Sequence, residues 1–555
     1  MTESINISSL YKSIVVNKEY DLYTEFSIND IPLLETLLKS LENNVFDVFI
    51  KINSPICIVH SKKLNTVYLY SNHFNNRQLF YSISPNKIIL SDRYYDIIRE
   101  EHSIIEYESI CSNLIFNYGL NSSTLNTGIK SLSPGSIIKI QNGVLYDFSQ
   151  KYKSHSLSQQ MEPSDILSNY ILNNIKENNP VLLSMTGGFD SRVNFAILLK
   201  LGIKFEAFTF GNPNSNDAVP AINLCNQYGI KHHLIDLNND FYQHREKYVD
   251  RLIESSLNNP FVLDLAHYEF VKELFPASNI VTGYMGGEIL TGGNVGSSQV
   301  TFTQTAKDLL TSENLLEFKN KFLSNFDTQF IRLDNIPDLD EYLNSFSNYF
   351  YKKKTNNQNL TNFLLYEKYH KFFGVIKSIY SPKHHQIDTF MAPEYFNYIH
   401  QLPYNYNNTP LFKRNPYTNY LSRRFYAQII KETTPSLLES KLDRGYKVKD
   451  LLSPFGLLNI SKNYYLNHTG RGNKLNIKTI DYRKWFEADV FEYLKHSSNL
   501  QDYFNKDFVF KVIDEYYVDK QAYPISVFNK LMVIYGLMKA IDLIKKKSAN
   551  NNAIN

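Results

Sequence analysis

Seven consecutive residues hold the densest chemistry in this chain: Thr186-Gly187-Gly188-Phe189-Asp190-Ser191-Arg192. They follow the apolar run Val181-Leu182-Leu183, which reads as a buried strand, across Ser184 and Met185. Val193, Ala196, Ile197 and Lys200 then recur at helical spacing, so the pattern predicts strand, glycine-rich turn and helix N-terminus. Gly187 and Gly188 lack a Cβ and can take positive φ, letting the backbone approach an anion. The first N–H groups of a helix have no intrahelical acceptor, and the helix dipole favours negative charge there. Thr186 and Ser191 add hydroxyl donors and Arg192 a cation. Asp190 is the odd member, because a carboxylate beside a phosphate site repels it. The acid makes sense as a Mg²⁺ ligand, since such sites combine one or two carboxylates with phosphate oxygens. The competing reading is an ordinary tight turn.

The elements around this turn must form a large molecule. At 555 residues, two or three domains are expected. A hydrophobic content of 43% supplies their cores, so disorder is not the default. Lys and Arg number 58 against 55 Asp and Glu, a balance that gives no reason to propose nucleic-acid binding. Cys57, Cys111 and Cys225 form no CxxC and no metal-ligand spacing, and three scattered thiols suit a reducing compartment. The first residues, MTESINISSLYKSIVV, lack the basic and apolar regions of a secretory leader. No run approaches the length of a membrane span, so a cytoplasmic protein without membrane contact is expected.

Residues 1 to about 150 read as β-rich. Phe46–Ile52, Ile56–Val59, Thr66–Tyr70, Leu79–Ile83 and Lys87–Leu90 are short β-branched and aromatic runs. Ser136–Ile140, the turn Gln141-Asn142-Gly143 and Val144–Phe148 read as a hairpin. A polar stretch, Ser154–Gln160, marks a domain boundary. Beyond the glycine-rich turn, strand Lys204–Phe210, helix Asp217–Gly229 and strand His232–Asp236 imply a parallel, doubly wound sheet with its ligand at the carboxyl ends of the strands. His232 and His233 adjoin on one strand and face opposite sides, which argues against a shared metal. Asn279-Ile-Val-Thr282 is a further apolar strand that runs into Gly283-Tyr-Met-Gly286-Gly287-Glu288. Residues 300–380 and the chain after 480 read mainly as helix, with Lys545–Lys547 at a helix C-terminus, where cations are favoured.

Thr186–Ser191 resembles the SGGxDS pyrophosphate loop of the ATP pyrophosphatase, or PP-loop, enzymes; the GxxxxGK[ST] pattern does not occur. Further stretches resemble asparagine synthetase. Ser71–Tyr81, Lys87–Asp92, Asn117–Leu120 and Thr124–Gly135 are similar in order to its amidotransferase half. Thr282–Gly293 is similar to its SGEGADExFGG stretch, and Asp388–Pro403 and Arg423–Tyr446 to later motifs. The resemblance implies an N-terminal Ntn-type α+β sandwich remnant over 1–155. It implies a PP-loop ATP-binding synthetase domain over 156–547, with helical additions. A disordered tail is expected over 548–555.

On that resemblance, Met185, Thr186, Gly187, Gly188, Asp190, Ser191 and Arg192 bind the pyrophosphate of ATP. Phe210, Thr282 and Gly283 hold the rest of the nucleotide, and Asp190 and Glu288 are the Mg²⁺ ligands. Several family residues are replaced here. The second metal-binding Asp falls on Gly287, a Glu and an Arg on His385 and Ile387, an Asp on Ala392, and the transition-state Lys on Asp443. Lys441 and Arg444 flank Asp443 and are the expected catalytic cations. A class II amidotransferase needs an N-terminal Cys nucleophile. Here Thr2 follows Met1 and no Cys precedes Cys57, so no glutamine hydrolysis is expected.

The implied activity is that of an ATP- and Mg²⁺-dependent, AMP-forming ligase. A small-molecule or peptide carboxylate becomes an acyl-adenylate, which ammonia or a substrate amine then attacks. The nearest chemistry is that of β-lactam synthetases and lasso peptide cyclases, and a homodimer is an open expectation. Two alternatives are a catalytically weakened ATP-binding scaffold and a PP-loop tRNA-modifying enzyme. The balanced charge and the absence of paired cysteines weigh against the second.

Overall fold

A computed structural model gives the architecture. Before residue 55 it describes 4–7, 12–17, 20–24 and positions 36–37, 39–41 and 43. From 55 to 552 it describes all residues except 75–76, 85–86, 103, 153–160, 239, 257–261, 292–302, 351–356, 410–415, 470–481 and 519–524. Thr2, the run Phe46–Ile52 and the boundary near 155 therefore lie outside the described residues.

The N-terminal strands are β1 (Ser4–Ile7), β2 (Lys12–Asn17), β3 (Tyr20–Thr24), β4 (Ile56–Ser61), β5 (Thr66–Ser71), β6 (Phe80–Ser84), β7 (Lys87–Ser91), β8 (Ile129–Ser131), β9 (Ile137–Gln141) and β10 (Val144–Asp147). They form a four-stranded sheet, β1-β7-β6-β8, and a six-stranded sheet, β10-β9-β5-β4-β3-β2. Every pairing is antiparallel except β1 with β7. Alternating residues build the layer between the sheets: Ile56 and Ile58, Val67 and Leu69, and Ile138 and Ile140 from one, Tyr81, Ile88 and Leu90 from the other. The intervening positions point the other way, so Phe80 and Ile89 enter the main core beside Tyr94 and Ile110. The β9–β10 hairpin closes on Asn142 and Gly143, both at positive φ (51° and 74°), the geometry of a two-residue turn that matches strand twist.

The third sheet is wholly parallel. Its strands are β11 (Val181–Ser184), β12 (Phe205–Phe210), β13 (His232–Ile235), β14 (Asn279–Thr282) and β15 (His385–Asp388), in the order β13-β12-β11-β14-β15. From β11 the chain steps outward to β12 and β13, then returns to lay β14 and β15 on the opposite side. The strand order therefore reverses between β11 and β14. Crevices at such a reversal, at the carboxyl ends of the strands, are where α/β sheets bind ligands.

The helix Phe189–Lys200 is buried from Ser191 through Leu198 because it lies between this sheet and the helix Pro416–Thr433. The Thr434 hydroxyl donates to the Ala196 carbonyl at 2.8 Å, and the Phe189 and Tyr426 rings stack at 6.4 Å. Residues 358–380 run without a break, but Leu364–Phe373 has the wider π-helical turn between α-helical Gln358–Phe363 and Gly374–Tyr380. Sequence spacing predicts only helix there; π-turns recur at functional sites.

The last helix, Ile525–Asn552, corrects two expectations. It extends through Asn552, so residues 548–552 continue the helix. Lys545–Lys547 lie inside it, and the Lys547 ammonium sits 3.5 Å from the Tyr95 ring centroid. Lys530 ties this helix to the rest of the molecule. It is 8% exposed and donates to the Leu114 carbonyl at 2.5 Å and Asn117 Oδ1 at 3.2 Å, with Asp327 Oδ2 at 3.0 Å. Lys530→Met strands Asp327 and should cost about 3 kcal/mol. Denaturant unfolding checks this, and a loss under about 1 kcal/mol would show that the pair is not what holds the helix.

Among the described residues no helix is long and apolar enough to cross a membrane. All three cysteines are free and buried, and burial pushes their thiols up.

Candidate functional site

The glycine-rich loop leaves β11 with its backbone already committed. Met185 N–H donates to the Phe208 carbonyl at 2.9 Å, and the Met185 carbonyl accepts from Thr209 Oγ1 at 2.7 Å. Met185 is thus an extension of the strand, 1% exposed, with its polar groups spent on β12. Ser191 ties the loop back on itself: its Oγ accepts from Thr186 N–H at 3.1 Å and lies 3.1 Å from Thr186 Oγ1. Gly188 N–H donates to Thr186 Oγ1 at 3.2 Å. The loop is therefore held in shape by its own hydroxyls before any ligand arrives.

The two glycines are needed for a different reason from the one the sequence suggests. Neither takes positive φ. A Cβ on Gly187 would stand 2.3 Å from the Asn216 carbonyl oxygen and 3.0 Å from Asp443 Cβ. Glycine at 187 lets two neighbouring segments close over the loop. Gly188, the N-cap at φ −78°, would meet only Thr186 Oγ1 at 3.4 Å, and it is the glycine that faces open space.

Asp190 faces the second loop, which follows β14. Gly287 N–H donates to Asp190 Oδ2 at 3.2 Å. A Cβ on Gly286 would lie 2.6 Å from both Cγ and Oδ1 of Asp190, and one on Gly283 would lie 2.7 Å from Ser191 N. The bare backbone of Gly283 and Gly286 is what lets the two loops meet. Met285, between them, is held at φ 73° and is 1% exposed, a strained conformation for a side chain of its size. Burial pushes the Asp190 carboxyl up to about 7, with Glu288 adding to the rise and the Gly287 N–H opposing it. Glu288 is half-buried on the short helix Gly286–Thr291. Thr282 Oγ1 donates to Asp388 Oδ1 at 2.7 Å and its carbonyl accepts from Asn194 Nδ2 at 2.7 Å, which locks β14 to β15 and to the loop helix.

Arg192 is fully buried and turned away from the loop surface. Its Nη1 donates to Ser440 Oγ at 2.9 Å, while Nε and Nη2 have no hydrogen-bond partner. Burial lowers it to about 10. It faces the turn Leu442–Tyr446, where Gly445 sits at φ 88° and Asp443 N–H donates to the Gly187 carbonyl at 3.2 Å. Asp443 is pushed up to about 6 by burial and by Asp217, against Arg192 and Arg423. The turn thus brings position 443 onto the glycine-rich loop. Lys441 and Arg444, the expected cations, are exposed on it, with Arg444 Nε 3.8 Å from Asp443 Oδ2.

Phe210 packs its ring on His267 (4.7 Å) and Tyr268 (5.6 Å), with Gly211 at φ 109° beside it. His232 and His233 take separate partners, Thr209 Oγ1 at 3.0 Å and Glu206 Oε2 at 2.6 Å, in agreement with opposite strand faces. Among the described residues no group of three His, Cys, Asp or Glu side chains converges on a metal-sized point. The carboxylate chemistry at this place is that of Asp190 and Glu288.

The structure also gathers residues that the sequence does not single out. Lys368, Tyr369, Tyr395 and Tyr426 are all buried around the Asp190–Glu288 pair. Lys368 lies among other charged residues in Leu364–Phe373, so its sequence context does not set it apart. No protein-family model matches this chain, and no curated protein matches it.

Proposed function

We propose that the chain is an ATP- and Mg²⁺-dependent ligase that activates a carboxylate as an acyl-adenylate and passes the acyl group to an amine. The observation that carries this reading is the meeting of two glycine-lined loops, one opening a helix and bearing Asp190, at the reversal of strand order in a parallel sheet. Helix N-termini accept phosphate there, and the crevice lies where such sheets take nucleotides. The resemblance of Thr186–Ser191 to the PP-loop and the two face-to-face N-terminal sheets support an asparagine synthetase-like plan, with an Ntn-type half that lacks its thiol. The amine is then ammonia or a group carried by the substrate.

The residues present fit a nucleotide with Mg²⁺. Asp190 is a carboxylate whose charge is disfavoured by burial and by a second acid, and a cation offsets both effects. Mg²⁺, when bound, would neutralise the departing diphosphate. Gly188 and the first N–H groups of the helix bind the outer phosphates, and the Thr186 and Ser191 hydroxyls position them. Asp190 holds the ion, and Glu288 adds negative charge beside it. Thr282 and Gly283 form the far wall, and Phe210 offers a ring face to the base.

Titration calorimetry with ATP and Mg²⁺ tests the first half of the reading. Pyrophosphate release with a panel of carboxylic acids and hydroxylamine, which traps activated acyl groups, tests the second. Failure to bind Mg²⁺–ATP would overturn the ligase reading.

A further inference from the structure

Lys368 is a buried charge, among the described residues, that the site above leaves without a role. It is 2% exposed, in the π-helical stretch Leu364–Phe373. Two other buried charges of that stretch have work to do: Glu367 accepts from Asn121 N–H at 2.9 Å and the Tyr349 hydroxyl at 2.6 Å, and Lys371 donates to the Asn121 carbonyl at 2.8 Å. They fasten the helix to the N-terminal region. Lys368 makes no ion pair within 4.0 Å and no hydrogen bond among the described residues, and Glu288 is the charge that acts on its ammonium. An ammonium on so enclosed a residue with neither ion pair nor hydrogen bond is unfavourable, so such a group calls for an explanation.

Its surroundings point to one. The hydroxyls of Tyr369, Tyr395 and Tyr426 are all buried; those of Tyr395 and Tyr426 interact with each other, and that of Tyr369 has no hydrogen-bond partner. Tyr426 is brought to the glycine-rich loop by its stack on Phe189, and the Phe390 ring joins Tyr426 (5.8 Å) to Tyr395 (5.6 Å). The Tyr284–Phe373 ring contact at 5.2 Å holds the π-helical stretch against the second loop. An ammonium and three hydroxyls thus border the two carboxylates in the interior, whereas Lys441 and Arg444 lie exposed.

We propose that Lys368, with the hydroxyls of Tyr369, Tyr395 and Tyr426, forms a subsite for a carboxylate anion, the acyl substrate of the reaction. The assignment of the anion as acyl substrate rests on the ligase reading; the anion site itself does not. Lys368, rather than Lys441 or Arg444, is then the cation that meets substrate. Burial also lowers the Lys368 pKa, as expected of an ammonium whose counter-ion arrives with a ligand.

Bromide is the probe. Crystals of the nucleotide-free protein soaked in sodium bromide, with diffraction collected at the bromine edge, should show an anomalous peak in contact with Lys368 Nζ. The peak should be absent in Lys368→Met and weakened in wild-type crystals when sodium acetate is added to the soak. Lys368→Met should also keep or raise the melting temperature, because it removes an unpaired buried charge. No wild-type peak at Lys368, a peak that survives in Lys368→Met, or a peak indifferent to acetate overturns the proposal, as does a variant that melts several degrees lower. If Lys368→Met does not crystallise, Tyr395→Phe takes its place and should weaken the peak; an unchanged peak counts against the subsite. Because no nucleotide is present, failure here leaves the ATP reading standing, and failure of ATP binding leaves the bromide result standing.

Discussion

Asp190→Asn should lose Mg²⁺-dependent ATP binding and cut pyrophosphate release by roughly 10²–10³-fold, the scale of removing one fixed electrostatic partner from a reacting centre. The substitution keeps shape and hydrogen-bonding size while removing the charge proposed to hold the ion. It also has an effect in the opposite direction on the empty protein. In the folded chain the Asp190 carboxyl is pushed up to about 7, against about 4 in an unfolded chain. A raised carboxyl pKa means that the native state holds the proton more tightly. This group is therefore least costly to stability below about pH 4, and its cost grows as the pH rises through the window from about 4 to about 7. With its partial solvent access taken into account, the cost at pH 8 is about 2 kcal/mol. Asp190→Asn should accordingly be more stable than the parent at pH 8, equal to it near pH 4, and flatter in melting temperature between the two. Thermal melts across that range, with and without Mg²⁺–ATP, check both effects. A variant that still binds Mg²⁺–ATP with parental affinity would falsify the assignment of Asp190 as the metal ligand.

Gly286→Ala should weaken Mg²⁺ binding by about 10- to 100-fold, the range for disturbing a group that orients a metal ligand. The new Cβ would stand 2.6 Å from Asp190 Cγ and Oδ1, a distance that no rearrangement of Ala itself can relieve. The carboxylate must rotate away from the Gly287 N–H, so the damage falls on the ligand and not on the strand behind it. Gly188→Ala is the contrast: the nearest atom is Thr186 Oγ1 at 3.4 Å, so the fold should lose less than about 1 kcal/mol. The two variants separate close packing from open space within one site. Calorimetric titration of Mg²⁺ in the presence of ATP reads the difference, and equal affinities for Gly286→Ala and the parent would show that the contact between the loops does not position Asp190.

Much of the architecture was legible from local pattern. Val181–Leu183, Lys204–Phe210 and His232–Asp236 carry β-type runs separated by helical spacing, and they fold as parallel β11, β12 and β13. The β9–β10 hairpin follows from Asn142-Gly143, because only residues tolerant of positive φ close that turn. Local pattern also located the glycine-rich loop and its acid. It did not disclose why each glycine is there. Gly187 and Gly286 are small because of Asn216, Asp443 and Asp190, and two of those three lie far away in sequence.

The same division runs through the site. Composition and spacing determined that a strand, a bare turn and a helix N-terminus come in succession at 181–200, since those preferences act over a few residues. Tertiary structure alone decided that β14 lies beside β11, which brings Gly283 and Gly286 against Asp190. It also decided that Arg192 is buried against Ser440 and that Lys368 and three tyrosines stand around two carboxylates. Those pairings join residues up to about two hundred and fifty positions apart, and nothing in the spacing of a chain encodes which distant surfaces will exclude water together.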